Sequence, residues 1–225
     1  IFKDFLPYEK EIKQGLQILK YYFPQYNAPK KIITYIGPID GFGDILSDDA
    51  IIVGLHQHLG KGYSLYRSNI VQETYPEYLS IRFEPSYISV NCMKNIVLDM
   101  FPEKTEDRPL VQQMVEKGKR LFLLQKLLPY KEEYKLIGYT DVQMKGCYKN
   151  EASIWDLFVR NNLLQTIDYN IVKNYIGESP KTQELSDEDG KFAPGNIGSF
   201  AGWQIVKKYM SKNPKTSLQQ LMQLD

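Results

Sequence analysis

The sequence has few of the residues and motifs that most enzyme sites require. It contains two histidines and two cysteines in 225 residues. Cys92 and Cys147 belong to no Cys-x-x-Cys pair, so a disulfide framework is excluded. The Gly-x-Ser-x-Gly elbow and the Gly-x-x-x-x-Gly-Lys-[Ser/Thr] loop are both absent. The sequence therefore indicates neither a nucleophilic hydrolase nor a nucleotide site.

An excess of charge and a long apolar run are also missing. Lys and Arg number 28 and Asp and Glu 27, a formal net charge of +1. No overall field attracts polyanions, so no nucleic-acid partner is expected. No run of about 18 apolar residues predicts a membrane-spanning helix. With 43% hydrophobic residues, the chain can bury a core as one domain over residues 1–225 without disulfides or metal.

Hydrophobic periodicity predicts an α+β fold that is mostly helical, with a small N-terminal β-sheet. The helix and sheet occupy about residues 1–84, and a helical part follows over about residues 85–225. The acidic stretch 186–191 is expected to be a solvated loop. Strands are predicted over 31–36 and 50–55, the second of them buried and central, and helices over 8–23, 85–101, 110–128, 141–162, 197–212 and 217–224.

His56 and His58 form a His-x-His pair at the end of the second predicted strand. Residues two apart on a strand face the same side, so the two imidazoles can approach one divalent ion. A catalytic zinc site needs a third protein ligand, which a carboxylate such as Glu116 or Glu151 would supply. Two surface histidines at a strand end are the alternative interpretation.

The C-terminal third carries an ordered set of motifs that identifies a family. The set comprises Pro194-Gly195-Asn196-Ile197-Gly198, Gly202-Trp203-Gln204-Ile205-Val206, Tyr209-Met210 and Ser217-Leu218 followed by Leu221. It resembles the end of the gliding-motility lipoprotein B (GldB) family, whose relatives include predicted zinc peptidases of the zincin type. With weaker matching segments, the resemblance covers roughly residues 31–224.

The resemblance implies a zincin-like fold in which the metal site has been lost. Zincins carry His-Glu-x-x-His on one helix and a third ligand, a Glu, on the next. Here Asn91, Cys92 and Asn95 occupy the motif positions, and Glu116 is the candidate third position. Neutral amides bind Zn²⁺ weakly, and a cysteine cannot act as the carboxylate base. The resemblance thus implies a pseudoenzyme without a cofactor, in which Glu116 is alternatively a helix acid that pairs with Lys119 or Arg120.

The family also implies a location and a partner. Its members are lipid-anchored on the periplasmic side of a Bacteroidetes-type cell envelope, through an acylated cysteine that would lie upstream of Ile1. The expected function is non-catalytic binding of an envelope protein or peptide. A residual groove would be lined by Tyr139, Glu151, Trp155 and Trp203, which are alternatively core aromatic residues and one capping acid. The competing function is a metal-dependent hydrolase (peptidase) that uses His56, His58 and Glu116.

Overall fold

The N-terminal helix forms where the hydrophobic spacing predicts it. A computed structural model describes residues 2–103, 108–185 and 193–224. Helix α1 (Leu6–Tyr22) has a proline in its first turn and buries Ile12 and Leu19 on one face. Pro24 follows directly after the C-cap, where a proline stops helix continuation.

A three-stranded sheet follows α1, with strands β1 (Lys31–Tyr35), β2 (Ile45–Leu46) and β3 (Ala50–Gly54) in the order β1-β3-β2. β1 pairs with β3 in parallel, and β2 pairs with β3 antiparallel. β3 is the central strand and is almost fully buried, which confirms the prediction for the second strand. Because β1 and β3 are parallel, the connection between them is a long loop that contains β2 rather than a hairpin.

One longer helix packs against this sheet. Helix α4 (Ile88–Met100) comes after two short helices, α2 (Asn69–Thr74) and α3 (Glu77–Ser80). It contacts α1, β2 and β3, and its apolar face is buried, with Ile88, Cys92, Ile96 and Val97. The apolar residues after Pro85 recur at helical spacing, and the face that they form packs against the sheet.

The remainder of the chain is helical. Two of its helices begin with capping boxes, Thr140 with Gln143 and Ser217 with Gln220. The single helix predicted over 141–162 is wrong, because the chain breaks at Asn150 into two helices. The helices are α5 (Leu110–Leu127), α6 (Glu133–Ile137), α7 (Asp141–Lys149), α8 (Glu151–Arg160), α9 (Tyr169–Ile176), α10 (Ile197–Lys212) and α11 (Leu218–Gln223).

The chain divides into two units, residues 1–100 with 126–129 and residues 101–125 with 130–225. The α+β, mostly helical fold class is confirmed, whereas the zincin-like fold and the single domain stay predictions. The predicted acidic loop, 186–191, lies outside the described residues. Within the described ranges, none of the helices has the length and apolarity that a bilayer-crossing segment needs.

Candidate functional site

A buried carboxylate is the centre of the polar cluster in the first unit. Asp44 stands immediately before β2, and its side chain is 3% exposed. It accepts hydrogen bonds from the Gly54 main-chain N–H at 3.2 Å and from Asn91 Nδ2 at 3.0 Å. His58 Nε2 lies 2.8 Å and 3.0 Å from its two oxygens. Chain segments separated in sequence, β3, the turn after it and α4, thus all supply groups that satisfy one carboxylate.

His58 is held between two acceptors. Its Nε2 faces Asp44, and its Nδ1 lies 3.2 Å from the Glu84 carbonyl oxygen. A carbonyl only accepts, so Nδ1 donates to Glu84, and Nε2 shares a hydrogen bond with the Asp44 carboxyl group. The ring is 1% exposed. Asp44 and His58 therefore form a buried, hydrogen-bonded pair.

The structure brings two of the predicted metal-site positions to this pair. Asn91 and Asn95 lie one turn apart on α4, so their side chains share a face. Asn91 binds the Asp44 carboxylate, and Asn95 Nδ2 donates to the Asp44 main-chain oxygen at 2.9 Å. Both amides are therefore engaged in holding the chain segment that enters β2.

Cys92, the third of these positions on α4, has no catalytic character. It is 1% exposed. Burial, reinforced by the negative charge of Asp44, raises the pKa of the Cys92 thiol well above its ordinary value. A neutral, buried thiol is neither a nucleophile nor a base at physiological pH.

His56 is also buried, at 4% exposure. After β3 the chain turns through a 3-10 helix, Leu55–Gln57, which directs this ring inward. Its Nδ1 accepts from the Gly37 N–H at 3.1 Å, and its ring meets Tyr35 edge to face. Burial lowers the pKa of His56, and the Phe42 carbonyl opposes that shift only in part. The interpretation of two surface histidines is therefore wrong, because the turn places both rings in the interior.

Glu116 forms ion pairs within its own helix. Its carboxylate contacts Lys119 Nζ and lies 3.6 Å from Arg120 Nη2, as the helix-acid interpretation predicts. Both cations are buried: Lys119 also donates to the Leu224 carbonyl at 2.6 Å, and Arg120 donates to the carbonyls of residues 101 and 102. Burial lowers the pKa of Arg120. Glu116 thus neutralises two cations that fasten chain segments of the second unit to α5.

No group of three or more His, Cys, Asp or Glu side chains in residues 2–103, 108–185 and 193–224 is arranged to hold a metal ion. The His56, His58 and Glu116 set stays a prediction. In the described structure, both ring nitrogens of His58 already face protein acceptors. Metal binding by His58 would have to replace one of those bonds.

The residues predicted to line a groove in the second unit differ in exposure. Tyr139 and Trp203 are 4% and 0% exposed, and the Tyr139 hydroxyl donates to the Gly195 carbonyl at 2.9 Å. Trp203 lies under Lys207, whose Nζ is 4.1 Å from the indole ring centroid. Tyr139 and Trp203 thus belong to the packed interior of this unit.

The other two predicted groove residues, Glu151 and Trp155, are half-buried on α8. Trp155 packs edge to face against Phe158. Burial and a hydrogen bond to Glu133 raise the pKa of Tyr148, with a smaller contribution from Glu151. The groove itself stays a prediction.

A groove of about 950 Å³ lies beside the Asp44 cluster in the first unit. One wall is β2 with the residues around it, and the other is the C-terminal half of α4. Phe42 stands at the groove with 81% of its surface exposed. The groove is lined by Gln25, Tyr26, Asn27, Pro29, Phe42, Asp44, Ile45, Leu46, Ser47, Asp48, Asn95, Leu98 and Asp99.

Sequence reasoning missed Asp44 as a site residue. In the sequence it is one acid in a turn-rich stretch, a context in which carboxylates are usually solvated. No periodic pattern distinguishes it. A paired histidine after the next strand and two asparagines one turn apart are the partners that reveal it, but only the folded chain brings them together.

A profile of the family described as "Gliding motility protein GldB" matches residues 1–225, the whole chain. Neither the comparison with curated proteins nor the comparison with solved structures gives a match.

Proposed function

The chain belongs to the gliding motility protein GldB family, and from this membership we propose that it is a non-catalytic binding domain of an envelope lipoprotein. Membership alone suggests a lipoprotein associated with gliding motility. The proposal adds zincin ancestry, loss of catalysis and the binding of a protein or peptide partner. It also places the domain on the periplasmic side, held by a lipid upstream of residue 1.

Loss of catalysis is supported by what the motif positions of α4 do. A zincin uses its two motif histidines to bind the metal and its motif Glu to activate water. Asn91 and Asn95 instead donate to Asp44, and Cys92 is a buried, neutral thiol. Side chains of this kind stabilise the junction of α4 with β2 and leave no water-activating base at the motif positions of the helix.

We assign partner binding to the groove beside β2. β2 is an edge strand, and no other strand of the described residues pairs with its outer side. The Ser47 N–H donates to the Ala50 carbonyl at 2.9 Å, so residues 47 and 50 form a hydrogen-bonded pair of the antiparallel ladder. Because such pairs alternate with non-bonded pairs, the N–H and C=O of Leu46 point away from β3. An extended peptide can satisfy both groups by strand addition.

The charge of the groove selects among peptides. Its lining includes the carboxylates of Asp44, Asp48 and Asp99 and contains neither lysine nor arginine. Asp44 is buried and hydrogen-bonded to His58, whereas Asp48 is exposed at the rim. Like charge disfavours acidic segments in such a groove, and a basic side chain next to Asp48 is favoured. We therefore expect an extended segment with at least one Lys or Arg and an apolar residue that contacts Phe42.

Selection from a library of displayed random peptides against the immobilised chain tests this function. We expect enriched peptides to be basic and to bind in solution, as measured by calorimetry. Phe42→Ala should weaken the enriched peptides about tenfold, because an exposed aromatic anchor commonly contributes more than about 1 kcal/mol to an interface. Asp48→Asn should reduce the preference for basic over neutral peptides.

Matched substitutions outside the groove provide the controls. Tyr169→Ala removes an aromatic residue that is 74% exposed on α9, and Asp156→Asn removes an acid on α8. Neither should change peptide affinity. The absence of any enriched peptide, or unchanged binding by Phe42→Ala, would refute peptide binding in this groove.

A further inference from the structure

A short segment of the first unit combines exposed apolar side chains with positive charge. Residues 61–70 read Lys-Gly-Tyr-Ser-Leu-Tyr-Arg-Ser-Asn-Ile and contain no acid. Tyr63, Leu65 and Ile70 are 40%, 43% and 75% exposed. The segment folds as a 3-10 helix, Ser64–Arg67, followed directly by α2.

A pocket of about 540 Å³ opens beside the same segment. Lys61 and Arg67 line it, with Glu77 as the acid in the lining. Arg67 forms no ion pair with any described residue. Lys61 Nζ is 3.8 Å from a Glu84 oxygen, a long contact for a side chain that is 71% exposed. At least one cation at this pocket therefore has no partner within the described chain.

A buried hydroxyl also faces the pocket. Ser80 lines it and is 5% exposed. Its Oγ accepts a hydrogen bond from Gln72 Nε2 at 3.2 Å and donates to none of the described residues. A buried donor without an acceptor is costly unless a ligand supplies one. An anionic oxygen in the pocket would accept from Ser80 while it is near Arg67 and Lys61.

We propose that this pocket binds the phosphate of an anionic phospholipid and that Leu65 and Ile70 enter the interfacial layer of the same membrane. Two cations and a hydroxyl donor match a phosphodiester. A free inorganic phosphate would not need the apolar rim, whereas apolar residues beside basic ones are typical of segments that lie in a membrane interface. Tyr63, whose ring packs edge to face on Tyr66, has the amphipathic character of interfacial aromatic residues.

Sedimentation of the 225-residue chain with vesicles tests the proposal. Vesicles of neutral phosphatidylcholine are compared with vesicles that contain phosphatidylglycerol, at low and at moderate salt. We expect binding to the anionic vesicles only, and weaker binding in salt. Arg67→Ala should lower the partition coefficient about fivefold, and Ile70→Ser should lower it by at least as much.

Two control variants match these residues in exposure but lie on α7. Lys145 has a side chain that is 76% exposed, and Val142 is 75% exposed. Lys145→Ala and Val142→Ser should bind vesicles as the original chain does. Equal losses in the control variants, or no vesicle binding, would overturn the proposal. Binding of inorganic phosphate without vesicle binding would overturn it as well. The pocket shares no lining residue with the groove beside β2, so either assignment can fail alone.

Discussion

At the scale of single residues, the burial of Asp44 and His58 costs the first unit desolvation free energy. The two side chains are 3% and 1% exposed, so both polar groups have lost their hydration. A buried pair compensates that loss only when further hydrogen bonds complete it. Asn91, the Gly54 N–H and the Glu84 carbonyl supply those bonds. The asparagines of α4 are thus explained by the carboxylate that they serve.

Removing one member of the pair should therefore be costly. We expect His58→Phe to lower the free energy of unfolding by about 1–3 kcal/mol or more, because the buried Asp44 carboxyl group would lose a hydrogen-bond partner. Urea denaturation measures the change. Lys31→Ala is the control: it breaks the exposed Lys31–Asp49 pair, at 64% and 61% exposure, and should leave the free energy of unfolding nearly unchanged. Similar losses in both variants would show that the buried pair has no special role.

His56 gives the first unit a pH dependence of defined sign. Burial lowers its pKa below the ordinary value of about 6.5, so the unfolded chain takes up this proton at a higher pH than the folded chain. The stability that the neutral ring contributes is complete above that value and is lost as the pH falls below it. Wild type should lose more stability than His56→Gln between about pH 7.5 and about pH 5.5, as measured by urea midpoints. Parallel losses in the two proteins would contradict the assignment.

The site also shows which residue-level features a sequence reveals. The one-turn spacing of Asn91 and Asn95 marks them as one face of a helix, and that much is correct. Their partner Asp44 comes from a loop 47 residues away from Asn91, and no local pattern connects the two. The burial of both histidines depends on a 3-10 turn after β3, which the alternation of a strand does not predict.

At the scale of elements, α5 and α10 approach so closely that only glycine fits between them. A Cβ on Gly202 would lie 1.8 Å from the Met114 carbonyl oxygen, and one on Gly118 would lie 2.3 Å from the Gly202 backbone. Both neighbours are main-chain atoms, which cannot yield without moving a helix. Trp203, next to Gly202, is fully buried at this crossing. The Gly-Trp pair that carries the family resemblance is therefore a packing motif.

A substitution at this crossing should destabilise the second unit. Gly202→Ala is expected to lower stability by about 1–3 kcal/mol or more, because the added methyl group forces the helices apart. Gly146→Ala is the matched control on α7, where an added Cβ meets nothing within 4 Å. It should raise stability by about 0.5–1 kcal/mol through the higher helix propensity of alanine. Thermal denaturation of both variants distinguishes them, and a neutral Gly202→Ala would contradict the close crossing.

Helices with clear proline or capping signals at their ends were predictable from the sequence, whereas helices without such signals were not. α11 follows Asn213-Pro214 and starts at a Ser217 capping box, so its N-terminus was located closely. α9 was missed because the chain around it is polar, although Val172, Tyr175 and Ile176 are buried. The break at Asn150 was missed because apolar residues continue on both sides of it. In both cases tertiary burial decided what local periodicity left open.

At the scale of the whole molecule, both candidate ligand sites, the groove beside β2 and the pocket at Lys61, lie in the first unit. In the second unit, two of the four predicted groove residues belong to the packed interior. A net charge of +1 gives no general attraction to anions, so electrostatic attraction of an anionic ligand must come from such local arrangements.

The metal content of the whole chain decides between the proposed binding domain and the alternative hydrolase. After purification without chelator, we expect zinc well below one ion per chain, because the amides of α4 bind Asp44 and His58 lies between two acceptors. Added zinc should not raise the thermal midpoint, whereas a site saturated at one hundred times its Kd would add about 2.7 kcal/mol. The combined His56→Ala and His58→Ala variant should show the same low content. Stoichiometric zinc in the original chain that disappears in this variant would instead support a rebuilt metal site. It would require His58 to give up the Asp44 or Glu84 bond for the ion.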